Sequence, residues 1–170
     1  QRVEAINAFL DDIYGERRIL KEGVLPADLI LGNPQFRPEI AGMRPPHGIW
    51  AHICGIDLVR TGPDQFFVLE DNARTPSGVS YMLEHREAMV RLRPELFREY
   101  RVEPVDSYPD RLLQTMKSVA PPGRGSQPVC VVLTPGHYNS AYYEHSFLAD
   151  SMGIELVEAA DLVVDDDIVY

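Results

Sequence analysis

"IDLVRTGPDQFFVLEDNARTPSGVSY", Ile56 to Tyr81, holds two apolar runs around a turn and then a dense polar tail. The first run extends back to Ile49 ("IWAHICGIDLVR"), Thr61–Gln65 is turn chemistry, and "FFVLEDN" is apolar again, so the pattern predicts a β-hairpin. Residues two apart on a strand share a face, which puts Glu70 and Asn72 on one side and Leu69 and Asp71 on the other. If the chain reverses within Thr61–Phe66, Asp57 lies opposite Glu70, and opposed residues also share a face. One side of the hairpin then offers Asp57, Glu70 and Asn72: two carboxylates and an amide carbonyl. Like charges that close repel, so the cluster asks for a cation. Oxygen ligands without Cys or His favour Mg²⁺, or Mn²⁺, over zinc. Mg²⁺ keeps few protein ligands and fills its remaining positions with water and phosphate oxygens, and ATP would supply the latter. A solvated acidic face ending in a turn asparagine is the plain alternative.

The residues after Asn72 favour the metal. Arg74 offers a fork for carboxylate or phosphate. Pro76-Ser77-Gly78 turns into a helix carrying Ser80, a candidate substrate contact, and backbone N–H groups there can hold an anion. Taken alone, Pro76–Gly78 would be punctuation between strand and helix.

Around the hairpin, Val3, Ile6, Phe9, Leu10 and Ile13 recur at helical spacing, and "YGERRILKEG" continues as a second helical stretch closed by Gly23. Leu25–Pro46 is rich in Pro and Gly and is expected to wander over the surface. "SYMLEHREAMVRL" and "PELFREY" read as helices, as does "DSYPDRLLQTMKSVA" with Ser107 as its N-cap. Pro121–Pro128 is the linker candidate. Beyond it "VCVVLTPG", "NSAYYEHSFLADSMG" and "IELVEAADLVV" read strand, helix, strand, a βαβ unit with Gly153 stopping the helix. Thr134, Gly136, His137 and Asn139 sit where that strand hands over to its helix, the ligand-facing edge of an open α/β sheet. Ser140 is a competing helix cap. His145 reads as a structural histidine, and His47, His52 and His85 as packing or surface residues. Trp50, Phe66 and Phe67 are expected in the core, and Asp165–Asp167 in a solvated turn. "DDDIVY" closes the sequence as a strand without a visible partner. With the missing initiator Met, this suggests an excerpt of a longer chain.

The chain has 170 residues and a net charge of −10, with 26 acids against 16 Lys plus Arg. Phosphate-backbone binding needs clustered cations, so nucleic acid is not an expected partner. No apolar run approaches the ~20 residues of a membrane-spanning helix, and no secretory leader opens the sequence. Cys54 and Cys130 lie among apolar residues and read as buried thiols on strands, consistent with a reducing, cytoplasmic compartment.

The run E-x-N-x-x-x-P-S-G with an Asp thirteen residues upstream resembles the magnesium-binding end of ATP-grasp ligases. "GIDLVR…FFVLEDNARTPSGVSYMLEHRE", "LDDIYGERRILKEGVLP" and "VVLTPGHYNSAYYEHSFLADSMGIELVEAADLVV" are similar to the circularly permuted type 2 ATP-grasp proteins, relatives of glutathionylspermidine synthetase. The resemblance covers nearly the whole sequence. It implies an α/β protein: an α+β metal-binding ATP-grasp portion over 1–122, then the start of a βαβ, Rossmann-like substrate domain over 123–170. It implies Mg²⁺ ligation by Asp57, Glu70 and Asn72, Arg74 facing phosphate or the acyl substrate, and Ser77 and Gly78 lining the substrate end. The implied reaction is ATP-dependent joining of a carboxylate to an amine through an acyl phosphate, on small-molecule or peptide substrates. The lysine-bearing nucleotide grip would follow beyond Tyr170, so this piece alone is expected to be inactive. A non-catalytic binding module and a metal-dependent hydrolase are the rival expectations.

Overall fold

The N-terminal helix α1, Arg2–Tyr14, turns its Ile6, Phe9, Leu10 and Ile13 stripe inward, with Ile13 buried and Val3 left exposed at the open end. The computed structural model describes residues 1–121, 127–166 and 168–170. They fall into two compact units, 1–76 and 77–170. The domain boundary expected at 122/123 lies outside the described residues, as does Asp167 of the acidic turn.

In the first unit, Asp12 in the last turn of α1 accepts the Arg18 N–H at 2.9 Å and the Ile19 N–H at 3.0 Å, which starts the short helix α2, Arg18–Lys21. Those amides, Ile19 first and then Arg18, hold the Asp12 carboxyl below the ordinary carboxylate range. Helix α3, Ala27–Leu31, forms within the Pro-rich segment expected to wander over the surface. Strand β1 spans Gly55–Gly62 and pairs antiparallel with β2, Gln65–Asn72. It begins six residues later than the apolar pattern suggested. Asn7 of α1 is the reason: its Oδ1 accepts the Trp50 and Ala51 N–H groups at 2.7 and 2.9 Å, and its Nδ2 donates to the Ala51 carbonyl at 3.1 Å. A side chain thus satisfies the backbone that a strand ladder would have satisfied. Phe66 and Phe67, expected in the core, are 57% and 61% exposed on this two-stranded hairpin.

The second unit contains helices α4 (Val79–Leu92), α5 (Pro94–Glu99) and α6 (Tyr108–Ser118), then β3 (Val131–Leu133), α7 (Tyr142–Met152) and β4 (Glu155–Val157). β3 and β4 are parallel with α7 between them, the βαβ unit read from the pattern. Gly153 ends α7 at φ +65°, a conformation that favours glycine. Ser107 occupies the N-cap position of α6 without a side-chain capping bond. Ser140 does not cap α7 either, and the Asn139 Oδ1 accepts the Ala141 N–H at 2.9 Å in the turn before the helix. Cys54 and Cys130 are free thiols, as expected, yet half-buried and one residue short of their strands rather than within them. The closing strand is partnered after all. Val164–Asp165 (β5) pairs antiparallel with Ile168–Val169 (β6), and Val163 and Tyr170 exchange backbone hydrogen bonds at 2.9 and 2.8 Å.

Replacing Asn7 with Ala leaves two backbone donors and a carbonyl without their partner, and is expected to cost about 2–3 kcal/mol in urea unfolding. The Asp12 contribution has a pH signature. Its folded pKa is depressed, so its stabilisation is present above the unfolded value of about 3.9 and is lost as pH falls through the folded value. Denaturation midpoints followed downward from about pH 5 should therefore fall more steeply in the natural protein than in Asp12→Asn.

Candidate metal and phosphate site

The open end of the hairpin gathers the polar side chains. In the observed register Asp57 pairs with Glu70 and Gly55 with Asn72, while a bulge between Asp57 and Leu58 brings Leu58 opposite Val68 and leaves Leu69 unpaired. The bulge lies on the turn side of the Asp57–Glu70 pair, so Asp57, Glu70 and Asn72 keep one face. The Asn72 Nδ2 donates to Asp57 Oδ2 and to Glu70 Oε1, both at 3.2 Å. Three side chains separated by up to fifteen positions thus converge on one point, open to solvent.

Gly55 matters here for want of a side chain. A Cβ on it would stand 3.0 Å from the Pro76 Cβ and 3.7 Å from the Asn72 Cβ, so glycine lets the proline close over the strand beside the asparagine. Asp71, between the two site residues, points to the other face, where Arg2 holds it in an ion pair and depresses its pKa by that hydrogen bond. Only two of the three acids near the strand end therefore face the cluster.

The donor set fits a hard divalent ion. The amide N–H₂ now occupies the place between the carboxylates and offers each a proton. Turning the Asn72 amide end for end presents Oδ1 there instead, completing an all-oxygen set. Among the described residues no three His, Cys, Asp or Glu side chains gather into a metal-holding group.

Arg74 is exposed, and its Nη1 donates to the Gln35 Oε1 at 2.9 Å. In the second unit Ser77 is exposed, and Gly78 stands at φ +98° as α4 begins. The Gly78 N–H donates to Glu144 Oε2 at 2.7 Å, and Glu144 is only 7% exposed. Sequence reasoning did not single out Glu144 for this; the available signal was one acid in the first turn of α7. Ser80, expected to contact substrate, is 0% exposed, and its Oγ has no hydrogen-bond partner among the described residues. It is sealed from solvent by its position on the inner side of α4.

The loop after β3 divides in the same way. Thr134 is 2% exposed, its Oγ1 lies 2.9 Å from His145 Nδ1 and accepts the Gly136 N–H at 3.2 Å. That hydroxyl braces the loop and gives His145 a side-chain partner. Gly136 stands at φ +102°, with Glu158 Oε1 3.0 Å from where a Cβ would be. His137 and Asn139 are exposed, although the Asn139 side-chain carbonyl is engaged by the Ala141 N–H in the turn before α7.

The sequence model described as circularly permuted ATP-grasp type 2 matches residues 1–170. The chain belongs to that family. It is 53% identical over 98% of its length to an uncharacterized protein of Synechocystis, and 49% identical over its full length to one of Mycobacterium tuberculosis. It covers 34% and 31% of those relatives. A Frankia casuarinae relative, 43% identical and 20% covered, bears the name "Putative glutamate--cysteine ligase 2-2". The chain thus spans about a third of the first two relatives' lengths. The chain combines helices with small sheets, and no helix among the described residues is long and apolar enough to cross a membrane.

Removing the Glu144 carboxylate strands the Gly78 amide in a half-buried place. Glu144→Ala is expected to cost about 1–3 kcal/mol and Glu144→Gln less, since it keeps an acceptor. Hydrogen exchange at the Gly78 amide, faster in the alanine variant, checks the assignment.

Proposed function

We propose that the full-length protein is an ATP-dependent carboxylate–amine ligase and that this chain supplies its divalent-metal site. The observation that carries the reading is the convergence of Asp57, Glu70 and Asn72 at one end of the β1–β2 hairpin in a protein of the ATP-grasp family. These three residues would hold Mg²⁺, with Mn²⁺ as a substitute, and a bound ion would supply charge neutralisation at the phosphate oxygens of ATP.

The protein groups do the rest by position. Asp57 and Glu70 set the negative field at the strand end, and Asn72 keeps them together without adding charge. Arg74 offers its guanidinium to an oxyanion, either a phosphate of ATP or the carboxylate being activated. Within the second unit, Ser77 and the Gly78 turn at the start of α4, and the loop of Gly136, His137 and Asn139, are the substrate-contacting candidates. In the proposed reaction the substrate carboxylate oxygen attacks the γ-phosphorus of ATP, ADP leaves, and an acyl phosphate forms. The amine nitrogen then attacks the acyl carbon, phosphate departs, and the amine loses a proton. Glutamate–cysteine ligation, named for the Frankia relative, belongs to this class of amide formation, and amino acids or short peptides are the substrates we assign.

The test is nucleotide turnover by the full-length protein against amino acids, peptides and polyamines. ADP release that needs both a carboxylate and an amine supports the ligase; phosphate release indifferent to the amine points to a hydrolase. Glu70→Gln is expected to lower Mg²⁺-dependent turnover by about a hundredfold or more, as loss of transition-state charge stabilisation does, with the unfolding midpoint little changed. Undiminished turnover at saturating Mg²⁺ would remove Glu70 from the site.

A further inference from the structure

The segment Asn33–Arg37, "NPQFR", is held far more firmly than a connecting loop requires. The Asn33 Oδ1 accepts the Gln35 N–H at 2.8 Å, and the Asn33 carbonyl accepts the Phe36 N–H at 2.9 Å, closing a local turn. Phe36 stacks on Tyr14 with centroids 5.1 Å apart and planes 3° from parallel, and Tyr14 stacks in turn on Trp50 at 5.2 Å. The Arg17 guanidinium lies 5.7 Å from the Phe36 ring centre, and the Arg37 N–H donates to the Tyr14 hydroxyl at 3.3 Å. This bracing aims one exposed side chain, Gln35, whose Oε1 takes the Arg74 Nη1 hydrogen at 2.9 Å.

The chemistry of that acceptor is informative. Glu70 is four positions from Arg74, yet among the described residues no carboxylate comes within 4.0 Å of the Arg74 guanidinium. A neutral amide oxygen occupies one N–H of the fork and leaves the full positive charge and the other donors available. A glutamate in the same place would form an ion pair and satisfy the arginine internally.

We propose that Gln35 is a positioning residue that holds Arg74 in place, with its charge unquenched, to receive an oxyanion. The oxyanion is either the phosphate tail of a nucleotide or the carboxylate of the acyl substrate. The assignment rests on the role given to Arg74 under the proposed function, but it concerns binding and does not need turnover.

Isothermal titration of the full-length protein with tripolyphosphate, and separately with glutarate, distinguishes the two sources. Gln35→Glu is the decisive variant, because it preserves side-chain length and the acceptor oxygen while neutralising Arg74. The anion that Arg74 holds should bind about tenfold more weakly in Gln35→Glu, close to the loss in Arg74→Ala, with a smaller loss in Gln35→Ala. Unfolding midpoints should match the natural protein, so a merely structural role would leave anion affinity unmoved. Natural affinity for both anions in Gln35→Glu, or in Arg74→Ala, overturns the proposal. Weakened anion binding in a protein that shows no ATP turnover sustains the Gln35 assignment and removes the ligase reading. Amine-dependent ADP release with natural anion affinity in Gln35→Glu does the reverse.

Discussion

The pairing of Asp57 with Glu70 across the β1–β2 hairpin is the constraint on which the candidate site depends. A slip of one residue would send Asp57 to the opposite face from Glu70 and Asn72 and scatter the three oxygen donors. Two features of the strands hold the pairing. The bulge between Asp57 and Leu58 confines the irregularity to the turn side of the pair, and Gly55 lets Pro76 pack against the strand beside Asn72. The Asn72 amide, hydrogen-bonded to both carboxylates, keeps two like charges at one place without a counter-charge of its own.

Much of the surrounding order comes from side chains substituting for backbone partners. Asn7 serves the Trp50–Ala51 backbone, Asp12 starts α2, Asn139 closes the turn before α7, and Glu144 takes the Gly78 amide. Such bonds contribute modestly when made and cost more when a half-buried group loses its partner. In the first unit the same economy places Gln35 against Arg74, so an exposed arginine is oriented without being neutralised.

The hairpin, its turn and the shared face of Asp57, Glu70 and Asn72 were legible because strand alternation and turn chemistry are local rules. The βαβ order of β3, α7 and β4 was legible for the same reason. The start of β1 was misjudged because Ile49–Cys54 is apolar enough for a strand, and only the distant Asn7 shows that its backbone is already satisfied. Phe66 and Phe67 looked like core by composition, but a two-stranded hairpin does not enclose both of its faces. Ser80 and Thr134 read as candidate substrate contacts, yet both side chains are buried, and burial is a property of packing rather than of spacing.

By itself, the sequence determined the residue types of the cluster, their alternation along β2 and the turn that brings β1 back beside them, since each follows from backbone periodicity. It also carried the family likeness in its motifs. Tertiary structure alone decided that Glu144 reaches Gly78 across sixty-six positions and that Gln35 meets Arg74 across thirty-nine. Contacts between residues so far apart along the chain are set by how helices, turns and strands pack, and no local pattern records them.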